Sequence, residues 1–170
     1  LFEMDEALRN REIYIALQPQ LNIRSGRISS AEVLVRWTHP EMGVISPAEF
    51  VQMAERGKRI DQLTQYVIQS SFQFLRDAQK IDPGFNIAVN ISPSLIGSAE
   101  FEFMLHAALR VYGVKASSIM LEITENEQLL NNSGAQDAMG RLRDAGFGIS
   151  IDDYGAGLST LTYLLKVPAN

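Results

Sequence analysis

The amino-acid sequence predicts an α/β fold in which successive strand and helix units build a TIM-like (β/α) barrel. Segments of strand character alternate with segments of helical character along all 170 residues, and no linker or low-complexity tract divides them. In the second half, the strands follow one another at intervals of roughly 30 residues, the length of one βα unit. We therefore expect one domain over residues 1–170 that forms the N-terminal two thirds of a barrel, since a whole barrel has about 250 residues.

The first two strands are predicted to form a hairpin. One strand is expected near residues 14–20, after a short helix, and the next over residues 28–37. The Ser25-Gly26 turn between them reverses the chain direction, which favours antiparallel pairing. The barrel is therefore expected to open with a hairpin-like first strand.

The remaining elements are predicted from turn residues and hydrophobic patterns. Ser46 followed by Pro47 marks a helix start, and Asp82-Pro83-Gly84 ends a long helix. Helices are expected from residue 48 and over 61–80, 100–112, 134–144 and 159–165, and strands over 86–91, 118–124 and 148–152.

Composition excludes several classes of function. A net charge of −5, from 15 basic and 20 acidic residues, has the wrong sign for binding duplex nucleic acid. Because there is no Cys, a bound metal would need oxygen or imidazole ligands. No apolar run reaches the ~18 residues of a membrane span, and no signal peptide is evident. We expect a cytoplasmic segment without membrane contact, and the ends at Leu1 and Asn170 suggest part of a longer protein.

Four predicted strands end, or nearly end, in polar residues that a buried strand rarely contains. They are Glu32, Asn90, Glu122 and the pair Asp152-Asp153. Since the carboxyl ends of parallel strands meet on one face, these side chains are expected to lie close together. Their oxygen atoms suit Mg²⁺ or Mn²⁺, and adjacent aspartates can bridge two ions. Phosphoryl transfer is the leading interpretation.

Each feature also has a structural interpretation. Alternation along the second strand places Glu32, Leu34 and Arg36 on one face. The structural alternative is an ion pair between Glu32 and Arg36 within the barrel. Taken alone, Asp152-Asp153 before a glycine turn more often caps a helix. Three further residues are expected to be structural: Trp37, His39 and His106.

The stretch at residues 31–37, with Glu32-Val33-Leu34 at its centre, closely resembles the signature strand of the EAL-domain family of cyclic di-GMP phosphodiesterases. The family has Ala where this chain has Val33, a position expected to face away from the site. The resemblance extends, in the family's order, through motifs at residues 17–19, 90–92, 121–125 and 152–157.

The resemblance implies a role for each matching residue. It implies that a first metal is held by Glu32, Asn90, Glu122 and Asp152, and a second by Asp152 and Asp153. Glu32, Asp152 and Asp153 are thereby the expected catalytic residues. Substrate would be held by Gln18, Leu34 and Arg36, and Glu125 would steady the loop after the fifth barrel strand. In that loop Tyr154 and Ala156 replace the family's usual Phe and Thr, which affects loop positioning and removes no ligand.

The resemblance also implies the reaction, in which metal-activated water hydrolyses cyclic di-GMP to linear pGpG with two Mg²⁺ or Mn²⁺ ions. The family's sixth strand supplies a Lys, and its later strands supply another Glu for the second metal and a further Gln. All three are expected beyond Asn170, and Lys166 comes too early to be that Lys. The second metal site is thus expected to be incomplete in this chain, and the segment alone could be inactive.

Two other functions stay open. One is a module that senses cyclic di-GMP, or contacts a regulatory partner, without turnover. The other is a carboxylate-rich domain for another phosphorylated ligand. Because a barrel cut after five strands exposes its edges, a homodimer or a swapped oligomer is also expected.

Overall fold

The computed structural model describes residues 4–124 and 133–152. In chain order the elements are α1 (Met4–Arg9), β1 (Ile13–Asn22), β2 (Arg27–His39), β3 (Gly43–Ile45), α2 (Pro47–Arg56), α3 (Ile60–Gln79), β4 (Asn86–Ile91), α4 (Ala99–Tyr112), β5 (Ile119–Thr124), α5 (Ser133–Asp144) and β6 (Gly148–Asp152). Short 3₁₀ turns at Pro93–Leu95 and Ala116–Ser118 come before α4 and β5.

The strands form one six-stranded sheet in the order β1-β2-β4-β5-β6, with β3 paired to the end of β2. β1 and β2 are antiparallel, whereas β2, β4, β5 and β6 are mutually parallel. The parallel strands are joined by helical connections, as the sequence predicts. This arrangement brings their carboxyl ends to the same edge of the sheet.

Local sequence explains where the helices begin and end. Pro47 occupies the first turn of α2, where its missing N–H costs nothing. Ser98 caps α4 by accepting a hydrogen bond from the N–H of Phe101 at 3.2 Å. Gly113 ends the same helix in the left-handed conformation, with φ of 68°.

Two groups of buried residues hold the helices against the sheet. The larger one lies between the parallel strands and helices α3, α4 and α5, with Phe72, Leu105 and Met139 fully buried. The smaller one joins α1, β1, β2 and α2 around Trp37 and Phe50, whose rings meet edge to face at 5.8 Å. The outer face of the sheet is therefore covered, and its other face carries the polar strand residues.

The predicted α/β class and hairpin are confirmed. The strands at Asn86–Ile91 and Gly148–Asp152 have the predicted bounds, while β1 and β2 are longer because pairing continues to Asn22 and Arg27 beside the turn. β3 was not predicted, because three residues are too short to show an alternating pattern. The helix expected over 159–165 lies outside the described residues.

Trp37, His39 and His106, which were expected to be structural, each contact neighbouring residues of the fold. Trp37 is buried, and its indole Nε1 donates to Glu12 Oε2 at 3.2 Å. His39 Nδ1 accepts the backbone N–H groups of Glu41 and Met42 in the turn before β3. His106 meets Phe147 edge to face. No helix in the described ranges is both long and apolar enough to cross a membrane.

Candidate active site

The strand register places the polar residues of the parallel strands on one face. Glu32 lies opposite Gln18 on β1 and opposite Ala88 on β4. Two residues further along β4, Asn90 lies opposite Glu122 of β5. Paired residues of adjacent strands share a face, so these four polar side chains line the same side of the sheet.

A hydrogen bond joins the first two of the predicted metal ligands. Asn90 Nδ2 donates to Glu32 Oε1 at 2.8 Å across the β2–β4 pair. The amide thus orients the carboxylate of Glu32 through its nitrogen, while its own oxygen, Oδ1, keeps both lone pairs for another ligand. A carboxylate and an amide oxygen held side by side are ligands that a hard divalent cation prefers.

The residues expected to hold substrate lie on the same face of the hairpin. Leu34 and Arg36 follow Glu32 at two-residue intervals, and all three are half-buried. Arg36 Nη1 donates to the carbonyl of Val35 at 2.9 Å. The alternative ion pair between Glu32 and Arg36 does not form, because four residues along a strand span about 13 Å. Arg36 therefore keeps most of its five N–H donors for a ligand.

Beside these residues lies a cavity of about 250 Å³ at the carboxyl ends of β2 and β4. Its walls include Leu34, Arg36 and Asn90 together with apolar residues of α2 and α3. An apolar cavity with a few polar groups is typical of small-molecule sites. The geometry thus places the Glu32 carboxylate and the Asn90 amide beside a cavity whose wall includes the Arg36 guanidinium.

Comparison with known proteins assigns the family. The model of the EAL domain matches residues 3–170. The chain belongs to the EAL domain family. Among curated proteins, the cyclic di-GMP phosphodiesterase NbdA of Pseudomonas aeruginosa is 34% identical over 167 residues, which cover 98% of this chain and 21% of NbdA.

Solved EAL structures confirm the fold. A structure described as the PaMucR phosphodiesterase in complex with c-di-GMP matches with a TM-score of 0.90 and 31% identity, over 99% of this chain and 68% of that one. The EAL enzyme Bd1971 with cAMP and cyclic di-GMP matches with a TM-score of 0.88 and 28% identity, over 99% and 47%. The predicted TIM-like barrel of the EAL type is thereby confirmed. The chain spans 21% of the length of NbdA and 55% of the length of a Mycobacterium bovis protein that is 32% identical.

The described part of this EAL domain contains only some of the predicted ligands. Within it, no three His, Cys, Asp or Glu side chains lie close enough together to hold a metal ion. Asp152 is described through its backbone alone, at the end of β6 beside Thr124 of β5. Asp153 and Glu125 lie outside the described residues. Glu32, Asn90 and Glu122 are therefore the predicted ligands whose side chains the structure describes.

Two residues at this site were not predicted from the sequence. Glu55 of α2 and Ser92 after β4 both line the cavity, and Ser92 Oγ donates to Glu55 Oε1 at 2.7 Å. Ser92 Oγ also lies 2.8 Å from Ser94 Oγ and accepts the Ser94 N–H. Ser92 could have been predicted as a site residue from its position two residues after Asn90. Glu55 could not, because it belongs to helix α2 and the prediction used the strand pattern alone.

Proposed function

We propose that this EAL domain takes part in hydrolysing cyclic di-GMP to linear pGpG. The observation that carries the proposal is the contact between Asn90 and Glu32 at 2.8 Å, with Glu122 paired to Asn90 on the next strand. Membership of the EAL family and the curated name of the relative NbdA support the same substrate. We also propose that residues 1–170 belong to a single EAL-type domain.

The donor set suits a divalent cation. We propose that Glu32, Asn90, Glu122 and Asp152 hold a first Mg²⁺ or Mn²⁺, and that Asp152 and Asp153 hold a second. When bound, such ions supply an activated water and neutralise charge on the phosphate. Asn90 fixes the direction of the Glu32 carboxylate through its hydrogen bond, which prepares that ligand before the cation arrives.

The residues of the hairpin hold the substrate in this proposal. Arg36 donates charge-assisted hydrogen bonds to a phosphate oxygen, because its guanidinium is positioned by the Val35 carbonyl and still has free donors. Gln18, directly opposite Glu32, and Leu34, on the cavity wall, orient the dinucleotide. Water adds to phosphorus, the bond to one ribose 3′ oxygen breaks, and that oxygen takes up a proton.

Chromatographic detection of pGpG tests the proposal. The chain is incubated with cyclic di-GMP and Mg²⁺ or Mn²⁺, and Glu32→Gln is compared with the exposed control Glu41→Gln. Product that falls by about 100-fold or more in Glu32→Gln alone supports the assignment. Equal product from both variants would overturn the role of Glu32.

Binding without turnover is the second candidate. Calorimetric titration with cyclic di-GMP separates it from hydrolysis, since a sensor binds the dinucleotide and releases no pGpG. Loss of that binding in Arg36→Ala, with no pGpG from the unsubstituted chain, would favour sensing over catalysis. Absence of binding by the unsubstituted chain would contradict both candidates for this segment.

A further inference from the structure

The pairing between β2 and β4 ends just before Asn90. Val33 and Val89 are the last paired residues of the two strands. On its other side, β4 continues to pair with β5 as far as Ile91 and Ile123. The main chain at Asn90 is therefore held by strand pairing on one side only. Residues that follow the last pair on β2 and on β4 line the cavity of about 250 Å³, which lies where the two strands stop pairing.

A hydrogen bond from helix α2 reaches the chain beyond this last pair. Ser92, two residues after Asn90 and directly after the end of β4, donates from its Oγ to Glu55 Oε1 at 2.7 Å. Helix α2, which carries Glu55, is fixed to β2 through the edge-to-face contact of Phe50 with Trp37. The hydrogen bond thus connects an element packed against β2 to the residue that follows β4, on the side where strand pairing has ended.

The direction of the hydrogen bonds around Ser92 is fixed by its single hydroxyl proton. An ionised carboxylate only accepts, so this proton goes to Glu55. Ser92 Oγ then accepts from Ser94 Oγ at 2.8 Å and from the Ser94 N–H at 3.3 Å, which caps the short turn Pro93–Leu95. All three hydrogen-bonding positions of the hydroxyl are therefore used within the protein. The orientation of Ser92 and the start of the turn after β4 are set by these contacts.

The position of Glu55 in its helix is unfavourable for a carboxylate. Glu55 is the last residue but one of α2, and the C-terminal end of a helix carries partial negative charge. Among the described residues, its carboxylate forms no ion pair with Arg36, which lines the same cavity, and its hydrogen-bond donor is Ser92. Helix stability alone gives no reason for a carboxylate here, whereas the contact with Ser92 does.

We propose that Glu55 and Ser92 are positioning residues, whose hydrogen bond sets the spacing between the ends of β2 and β4 and thereby holds Asn90 against Glu32. The contact that depends on this spacing is the one from Asn90 Nδ2 to Glu32 Oε1 at 2.8 Å. Groups that orient metal ligands alter cation binding without touching the cation. The inference rests on the proposed function, because Asn90 and Glu32 are the ligands assigned there.

Four variants separate positioning from other roles. Glu55→Ala removes the acceptor and Ser92→Ala removes the donor, whereas Glu55→Gln keeps an oxygen that can accept the Ser92 proton. Glu49→Ala is the matched control, because Glu49 is an exposed glutamate of the same helix that does not line the cavity.

Urea denaturation at increasing Mg²⁺ or Mn²⁺ concentration measures the apparent dissociation constant of the cation. We expect this constant to rise by about 10–100-fold in Glu55→Ala and in Ser92→Ala. The double variant should lose little more than either single variant, since both remove one contact. Glu55→Gln should recover most of the loss, and Glu49→Ala should show none.

Two results of this titration would overturn the inference. One is an unchanged dissociation constant in Glu55→Ala together with lower stability without metal, the result of a purely structural contact. The other is an equal loss in Glu55→Gln and Glu55→Ala, which would show that the charge of Glu55 acts on the cation or the ligand directly.

Nuclear magnetic resonance tests the positioning of Asn90 without any cation. The side-chain amide signals of Asn90 are assigned by their loss in Asn90→Ser. They are expected to move in Glu55→Ala and in Ser92→Ala, and to stay in place in Glu49→Ala. Signals that stay in place in Glu55→Ala would overturn the inference even if the unsubstituted chain binds Mg²⁺ or Mn²⁺. Signals that move in a chain that neither metal stabilises would support the positioning role and contradict the proposed function of this segment.

Discussion

Replacing Glu32 with Gln separates folding from cation binding at the candidate site. The amide oxygen of Gln can still accept the hydrogen bond that Asn90 Nδ2 donates at 2.8 Å. A hydrogen bond to a charged group stabilises by about 1.5–3 kcal/mol and a neutral one by about 0.5–1.5 kcal/mol. Because Asn90 is exposed and Glu32 half-buried, the lower ends apply. The free energy of unfolding should therefore fall by about 1 kcal/mol.

The same substitution should remove most of the stabilisation that a cation provides. A cation at 100 times its dissociation constant raises the free energy of unfolding by about 2.7 kcal/mol when it binds only the folded chain. Gln has no charge to contribute, so Glu32→Gln should gain far less from Mg²⁺ or Mn²⁺, whereas Glu41→Gln should gain as much as the unsubstituted chain.

Urea denaturation followed by circular dichroism, with and without each metal, measures both effects. Equal metal-dependent stabilisation of Glu32→Gln and the unsubstituted chain would show that the cation binds elsewhere. No stabilisation of the unsubstituted chain would refute a cation site in this segment. A loss of more than about 3 kcal/mol without metal would show that the charge of Glu32 is needed for folding.

Three further substitutions test the structure around the site. Gly148→Ala would place a Cβ 2.8 Å from the side-chain end of Met120. Urea denaturation should therefore show the free energy of unfolding to fall by about 1–2 kcal/mol. The same substitution should cost less in a chain that also carries Met120→Ala. Arg141→Ala should lower the free energy of unfolding slightly at neutral pH, because Arg141 hydrogen-bonds the Glu102 carboxylate and lowers its pKa. Solvent screens the pair, since both side chains are partly exposed, so the effect is small. The difference in stability between the two proteins is present above pH 4.5, the ordinary pKa of Glu102. It should disappear as the pH falls through the lowered pKa of Glu102 in the folded chain. A difference in stability that does not change with pH would contradict the role of this ion pair. Lys58 has a backbone φ of 54°, a conformation that glycine adopts with about 1 kcal/mol less strain. Lys58→Gly should therefore raise the melting temperature by a few degrees. An unchanged or lower melting temperature would show that the Lys58 side chain offsets the strain.

The parallel strands were predictable because each one is a short apolar run between turn residues. The run at Asn86–Ile91 follows Gly84, and the run at Gly148–Asp152 follows Gly146, which has φ of 101°. Such boundaries are local, so the sequence pattern contains them. β3 was missed since its three residues form a strand only by pairing with the end of β2, a contact that depends on the turn before it.

The site was predictable where it depends on strand alternation. Glu32, Leu34 and Arg36 lie on one face because the strand repeats every two residues, and this needs no knowledge of tertiary packing. The contact between Ser92 and Glu55 joins residues 37 positions apart and depends on how α2 packs beside β4. Sequence patterns contain no such distance, so this part of the cavity required the structure.

Two small residues, Ala88 and Gly148, lie in register with Glu32 on neighbouring strands of the sheet. Register places Glu32 level with Ala88, Met120 and Gly148 on the neighbouring strands. Because Gly148 has no side chain, the end of Met120 occupies the space beside it, where a Cβ would come within 2.8 Å. Ala88 leaves Glu32 without a bulky neighbour on β4, so its carboxylate can reach Asn90 one step higher. A side chain at position 148 would therefore force Met120 to move, at the same level of the sheet as Glu32.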